Sequence, residues 1–469
     1  MSSLDFIDEA YRDSIATVDS EGKRIWVYPK KPSGHYHNYR ILATVIFLTI
    51  FFSGPFITIG GQPLLMLNIL ERKFVLFGQL FLPQDSLIFG VGLITFFVFI
   101  IVFTVVYGRF WCGWACPQTV FLEMVFRKIE YWIEGDRKQQ QALNAAPWTA
   151  EKLIKKGGKQ LIFLLISILI AHTTMAYLIG IEATKAIVTQ PPAEHTTGFI
   201  GIVVFTVVFY YVFAKLREQV CITICPYGRL QGVLMGRNTM TIIYDWVRGE
   251  PRGKINKHEP ATQLKGDCVD CKLCVQVCPT NIDIRNGIQL ECVNCTACID
   301  ACDEVMTKIN KPIGLIKYGS VESVEKRQPF KLSSRAYAYS VVLLLLIGLE
   351  SFLLVSRSAI ETTIMRVPGQ MYQEQANGKL SNLYNAQIVS KANDDMEVYL
   401  KVGDNQGTIR LIDGKKKILV PRGGKADIVF FLDIQKSTIK KMKTTLEIEV
   451  WQGEEKLETL KTNFLGYTN

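Results

Sequence analysis

Eight cysteines fall in one short stretch of this chain, in two runs: Cys268-x2-Cys271-x2-Cys274-x3-Cys278 and Cys292-x2-Cys295-x2-Cys298-x3-Cys302. The second run repeats the first at a constant offset, Cys292 answering Cys268 and Cys302 answering Cys278. Thiolate is a soft donor, and three of them this close on one loop can grip three irons of a four-iron cluster, so the spacing is that of [4Fe-4S] ligands. Zinc ribbons also use Cys-x2-Cys pairs, but a ribbon has no use for the third and fourth cysteines of so tight a run. Two clusters, and therefore one-electron chemistry, are expected.

The duplicated block is the pattern of a bacterial two-cluster ferredoxin, in which the fourth cysteine of each run ligates the other cluster. Site one is then Cys268, Cys271, Cys274 and Cys302; site two is Cys292, Cys295, Cys298 and Cys278. Pro279 follows Cys278, whereas Asp303 stands where a proline usually follows the last cysteine. Proline is not a ligand, so this departure bears on local geometry rather than on cluster binding.

The remaining four cysteines form two Cys-x3-Cys-Pro motifs, Cys112 to Cys116-Pro117 and Cys221 to Cys225-Pro226. Each sits just past the second helix of an apolar hairpin, which reads as an internal repeat. If helical, each motif would place its two sulfurs on one helix face, with the proline limiting continuation of the helix. They could also be no more than small apolar residues at helix ends. Three chemistries are open to them: a soft-metal site, a redox-active dithiol, or a further iron-sulfur centre. Thiolates favour Cu(I) over Cu(II), so a thiolate site beside a low-potential donor would suit the reduction of copper.

Five apolar windows, roughly 41–61, 86–107, 161–181, 198–214 and 336–355, approach or exceed the length needed to cross a bilayer. Segment 1–40 holds Arg12, Lys23, Arg24, Lys30, Lys31 and Arg40, and the 108–160 connection has nine basic residues. The intervening loops have only Arg72 and Lys73 in one and Lys185 in the other. The positive-inside rule therefore puts the N-terminus, 108–160 and 215–335 in the cytosol, and five crossings put 357–469 outside. No removable signal peptide is expected from the polar segment 1–40. The net charge of +10 reads as topology and a basic membrane-facing surface; no basic stripe interleaved with aromatics points to nucleic acid. All twelve cysteines lie ahead of residue 336, so none is available to staple the outer domain.

The tail alternates with period two at Glu397–Val402, Thr408–Ile412, Ile428–Leu432 and Leu446–Trp451, with turn signals at Asp413-Gly414 and Arg422-Gly423-Gly424, which predicts a β-sandwich. The expected architecture is a multi-domain membrane protein. It comprises a cytosolic segment 1–40, four transmembrane helices over 41–237, a cytosolic two-cluster ferredoxin-like α+β insert over 238–335, a fifth helix over 336–356 completing the transmembrane α bundle, and an immunoglobulin-like β-sandwich over 357–469. Within the membrane, His172 could ligate haem or copper, though a bond to a neighbouring helix is the plainer reading, and Glu350 is similarly ambiguous. His35 and His37 could hold a metal, though a solvated interfacial segment is the plainer reading for them.

Over essentially its full length the chain resembles the cytochrome c oxidase accessory protein family, known as CcoG, FixG or RdxA. The motifs that carry the resemblance are Gly108-Arg-Phe-Trp-Cys112-Gly-Trp-Ala-Cys116-Pro-Gln-Thr, Cys221-x3-Cys225-Pro-Tyr-Gly-Arg-Leu-Gln, the duplicated ferredoxin block and the outer tail. The resemblance implies a bacterial inner-membrane cupric reductase that supplies Cu(I) for cbb3-type oxidase assembly. Cys112, Cys116, Cys221 and Cys225 would be its catalytic and copper-binding residues, with copper as substrate or transient ligand. A cytosolic electron donor, oxidase assembly factors and membrane lipid are the implied partners. The thiol motifs also look like those of membrane ferredoxins that pass quinol electrons to periplasmic reductases, and a non-enzymatic assembly scaffold is a third class. Reporter fusions at Gly287 and Gly414 are expected to report opposite sides of the membrane; the same side for both would sink the five-crossing topology.

Overall fold

The structure is a computed structural model and describes residues 16–19, 21–69, 71–254, 265–369, 371–375, 377–392, 394–403, 407–414, 416–439 and 441–466. Among them, five helices are long and apolar enough to cross a membrane: His35–Phe56, Ser86–Tyr107, Ala150–Ile179, Thr196–Leu216 and Ser334–Val355. On the last, Val341, Leu344, Leu345 and Phe352 all face outward. An apolar surface so continuous is excluded in water and natural in lipid. The first helix begins ahead of its apolar window and breaks at Gly54-Pro55. The third begins at Ala150, because a helix continues past the hydrocarbon layer wherever polar turns support it, here with the Lys155 to Glu151 pair at 2.6 Å.

The chain divides into two compact units. The first comprises 1–53, 93–175 and 182–347; the second comprises 54–92, 176–181 and 348–469. In the first, a two-stranded antiparallel ribbon, Thr241–Tyr244 with Ile316–Gly319, brackets the eight-cysteine block. Its buried side chains Ile242, Tyr244 and Ile316 pack with Ile284, Ile299, Met306 and Leu315 around Cys268 and Cys274. The ribbon is tied to the end of the second long helix: Met240 N donates to Val106 O at 2.9 Å and Thr239 Oγ1 to Val105 O at 2.8 Å. Gly108 makes the turn beside them at φ +55°, where a Cβ would lie 2.9 Å from Met240 O. A larger residue would force this junction apart.

In the second unit, one antiparallel sheet runs in the order Gly407–Leu411, Lys425–Gln435, Lys379–Ser390, Ile360–Arg366, and the other in the order Ile418–Val420, Met396–Val402, Lys443–Gln452, Glu455–Leu465. Leu380, Tyr384, Phe430 and Leu432 from the first sheet share one core with Val402, Ile448 and Phe464 from the second, which is the packing of a sandwich. The four strands read from alternation are all present, each with somewhat different bounds. Lys379–Ser390 escapes that reading because its core face carries the buried polar residues Asn382 and Ser390, while the other face mixes Leu383 and Val389 with the exposed Asn385.

A charged cluster joins the 54–92 segment to the sandwich within this unit. Asp85 accepts from Arg357 at 2.7 Å and Lys391 at 2.5 Å, and Lys391 also meets Glu361 at 2.8 Å. Burial alone would raise the Asp85 carboxyl, but the hydrogen bonds from Arg357, Lys391 and the Leu82 amide hold it below its ordinary value. Its contribution to stability is therefore complete above about pH 4, the unfolded carboxylate range, and is lost as pH falls through the lower folded value. Asp85→Ala leaves Arg357 without a carboxylate and Lys391 with Glu361 alone, and should cost up to about 3–5 kcal/mol, read as a lowered unfolding midpoint of the full chain. Lys417→Ala, which removes an exposed partner of Glu397, should leave the midpoint essentially unchanged. Equal effects of the two would refute the role given to the cluster.

Candidate iron-sulfur and thiol site

Cys268, Cys271, Cys274 and Cys302 line one cavity with Tyr244, Arg285 and Met306. Cys278, Cys292, Cys295 and Cys298 line a second with Ile242, Ile282 and Ile284. The fold thus gathers the sulfurs across the two runs, three from one and the last from the other. The two cavities are similar in size. Cys274 lines both, so the sites share a wall.

Burial is the main force on these thiols. It pushes Cys274, Cys292 and Cys302 up to about 12 and Cys295 up to about 11, and raises Cys278 and Cys298 as well, with neighbouring sulfurs adding to the effect at most of them. Thiolates are unfavourable in such a place unless a cation sits among them. Backbone amides already point at the sulfurs: those of Thr280, Asn281 and Ile282 at Cys278, that of Asn294 at Cys292 and that of Ala297 at Cys295. Four soft donors around each cavity, with N–H groups directed at them, fit a [4Fe-4S] cluster in each.

The duplication is also written in the backbone. Asp270 and Asn294 stand at equivalent positions of the two runs, as do Lys272 and Thr296, and all four adopt left-handed conformations at φ between 49° and 64°. Alternating left-handed residues curl successive N–H groups into an anion-binding concavity. The two halves part at their ends. The helix after site one's loop stops at Gln276, whereas Ala297–Lys308 runs on through Cys302 and Asp303. A proline at 303 would break that helix; Asp303 instead accepts from the Gly314 amide at 2.8 Å.

The two Cys-x3-Cys-Pro motifs do not form the single helical faces expected of them. Each first cysteine stands just beyond its long helix, which ends at Tyr107 in one case and Leu216 in the other. Cys112 lies in the short helix Phe110–Trp114 and Cys221 in a widened, π-type turn, Val220–Ile224. Cys116 and Cys225 are extended, with ψ of 124° and 113°, and the following proline opens a new helix. The residue before a proline is driven out of the helical region, and proline is at home in a first helical turn. The four sulfurs nevertheless converge: Cys112 feels the charge of Cys116 and Cys225, and Cys221 that of Cys116, Cys112 and Cys225. Burial pushes Cys112 up to about 11 and Cys221 up to about 12. Gln231, fully buried, places its Nε2 and Oε1 at 3.5 and 3.6 Å from the Cys112 sulfur. Among the described residues, no three His, Cys, Asp or Glu side chains are drawn together tightly enough to hold a single metal ion.

This quartet abuts site two. Cys221 packs against the cluster of Val277, Val293, Cys295, Ala297 and Ala301. Arg109 donates to the carbonyls of Leu290 and Gly228 and, at 3.4 Å, to that of Cys292, joining both thiol motifs to the second cysteine run. Beneath lies a buried ionic network. Arg217 grips Glu130 at 2.6 and 2.7 Å, while Arg127 meets Glu123 at 2.9 Å, Glu218 at 3.2 Å and the carbonyl of Pro279, beside Cys278, at 3.2 Å. Sequence pattern does not single out Arg127 or Arg217, whose available clue is their nearness along the chain to a thiol motif; Arg109 and Gln231 stand inside the motif segments 108–119 and 221–231 without a role assigned there.

The other flagged residues lie elsewhere. His172 Nδ1 lies 2.7 Å from the Ile168 carbonyl one turn back on its own helix, not on a neighbouring one. Glu350 faces Gly92, whose Cβ, if present, would be 3.3 Å from Oε1. His35 stacks edge-on with Tyr39, and the His37 amide donates to Asp300 at 2.8 Å.

Family profiles match three regions: a 4Fe-4S dicluster domain over residues 216–321, a 4Fe-4S binding domain over 89–138, and the IG-like fold at the C-terminal of FixG over 351–467. The chain is 32% identical to protein RdxB of Cereibacter sphaeroides over 417 residues, covering 85% of this chain and 86% of that one. It is 33% identical to RdxA of the same organism, covering 84% and 86%. The chain belongs to the FixG/RdxA family. The nitrogen fixation protein FixG of Rhizobium meliloti is 36% identical over 310 residues, covering 64% of this chain and 58% of that one. As a FixG/RdxA protein it is a membrane iron-sulfur oxidoreductase. The crossed gathering of sulfurs yields a ligation test: Cys302→Ser should damage the cluster of Cys268, Cys271 and Cys274, seen as loss of one of two iron-sulfur signals, and Cys278→Ser the other. Damage by Cys302→Ser confined to the cluster of Cys292, Cys295 and Cys298 would refute the crossed arrangement.

Proposed function

We propose that this protein reduces Cu(II) to Cu(I) for assembly of a cbb3-type cytochrome c oxidase, with Cys112, Cys116, Cys221 and Cys225 receiving the copper. The observation that carries the reading is the meeting of these four sulfurs against the wall of site two. When bound to the eight-cysteine block, [4Fe-4S] clusters supply one-electron transfer at potentials that reach well below zero. The residues of the chain do the rest. Cys112 and Cys221, half-buried and mutually repelling as thiolates, gain most from a soft monovalent cation, which is what makes the product ion the better-held one. Gln231 offers an amide hydrogen to the Cys112 sulfur, and so steadies it as a ligand. A gap of about 300 mV between donor and copper would correspond to roughly 7 kcal/mol for one electron. The cysteine block would face the cytosol, where a reduced carrier is available to it, and the sandwich the opposite side, in reach of oxidase assembly factors.

A second reading has one observation in its favour: the 4Fe-4S binding profile over 89–138 covers only Cys112 and Cys116 of the twelve cysteines. On that reading the quartet holds an iron-sulfur centre of its own. Metal content and cupric reduction, measured on one anaerobically purified sample, separate the two. The copper reading expects about eight irons per chain. It also expects the double variants Cys112→Ser/Cys116→Ser and Cys221→Ser/Cys225→Ser to lose cupric reduction with the iron unchanged. About twelve irons in the parent, falling to eight in either double variant, would move the quartet to the second reading, and parental rates in both variants would remove the thiols from the copper site altogether.

A further inference from the structure

We infer that the two iron-sulfur sites have fixed and different roles: the set Cys268, Cys271, Cys274 and Cys302 faces the electron donor, and the set Cys278, Cys292, Cys295 and Cys298 faces copper, across a backbone contact that Gly113 makes possible. The inference rests on the copper reading above. Of the twelve cysteines only Cys271 is exposed, and Lys272 beside it is exposed as well. A soluble one-electron carrier can approach site one there and nowhere else so closely. Site two has no exposed cysteine, and the quartet lies on its wall.

Gly113 is the point of closest approach. It follows Cys112 in the chain, and a Cβ on it would overlap the carbonyl oxygen of Asn294 and lie 2.7 Å from that of Val293. Those two residues are the ones between Cys292 and Cys295. The helix that bears Cys112 therefore rests its backbone directly on the loop of site two. Arg40 Nε donates to the Gly113 carbonyl at 3.1 Å, and Arg109 holds the flank. Cys274, which lines both cavities, completes a continuous series from Cys271 to Cys112. One electron leaves a reduced one-electron carrier at the Cys271 edge and one Cu(II) becomes Cu(I); no bond is made or broken within the chain and no proton is required. Gly113 is a positioning residue in this scheme, since any side chain there must push the two segments apart, and electron transfer falls steeply with separation.

The test uses the full chain with both clusters in place, reduced with dithionite, freed of excess and mixed with Cu(II). Gly113→Ala should slow oxidation several-fold, with iron content and Cu(I) affinity unchanged. A parental rate in the folded variant overturns the inference while leaving cupric reduction in place; no cupric reduction by the parent overturns both. If Gly113→Ala does not fold, the parent decides by potentiometric titration of its two iron-sulfur signals, assigned with Cys302→Ser and Cys278→Ser. Bound Cu(I) should raise the midpoint of site two more than that of site one, and a soluble paramagnetic chelate should relax the signal of site one more than that of site two. Equal responses, or the reverse order, overturn it.

Discussion

Two arginines buried at the foot of the paired hairpins set the terms for everything above them. Arg127 and Arg217 are 1% and 2% exposed, and a guanidinium cannot give up its proton to escape such a place. Each must be met by carboxylates, and the chain supplies them from separate segments: Glu123 and Glu130 after the first thiol motif, Glu218 just before the second. Burial would raise the Glu130 carboxyl, yet Arg217 and its neighbours hold it at about 2. Removing one member would leave a buried charge alone, at about 3–5 kcal/mol. The network thus fixes the two hairpins to one another, and through Pro279 to the cysteine block. Arg217 takes a backbone of positive φ, 55°, at some cost in strain, and that turn is what brings the chain round to Cys221.

A second constraint follows from placing so many thiols out of water. Burial raises the thiols of both iron sites and of Cys112 and Cys221, so the apo chain holds them as neutral sulfur. Metal binding removes the protons and supplies the missing positive charge, which couples filling of the sites to completion of the fold. The apolar residues between the sites, Ile242, Ile284 and Ile299 among them, are held in place by a ribbon of two short strands. Much of the order of this insert is therefore lent by its ligands.

What can be read from sequence divides along the range of the interaction. The cysteine runs, the five apolar helices and the four alternating strands are local patterns, and each is where its spacing put it. Local pattern misreads the thiol motifs in detail because Cys116 and Cys225 obey the proline after them rather than the helix before them. It misses Lys379–Ser390 because the polar residues on that strand's core face, Asn382 and Ser390, are buried by partners far away in the chain. The convergence of Cys112, Cys116, Cys221 and Cys225, and the contact of Gly113 with Asn294, depend on tertiary packing that no local pattern encodes.

The most exposed sulfur has a further meaning for how such a protein fails. Oxidation of cysteine follows thiolate character and access, and Cys271 is the most accessible of the twelve, eight others being partly exposed. Oxygen or peroxide meets the chain most readily at that sulfur, while Cys268, Cys274 and Cys295 are buried. Damage therefore begins at the edge of site one and works inward. An aged molecule loses the exposed corner of one site before the enclosed sulfurs of either are reached.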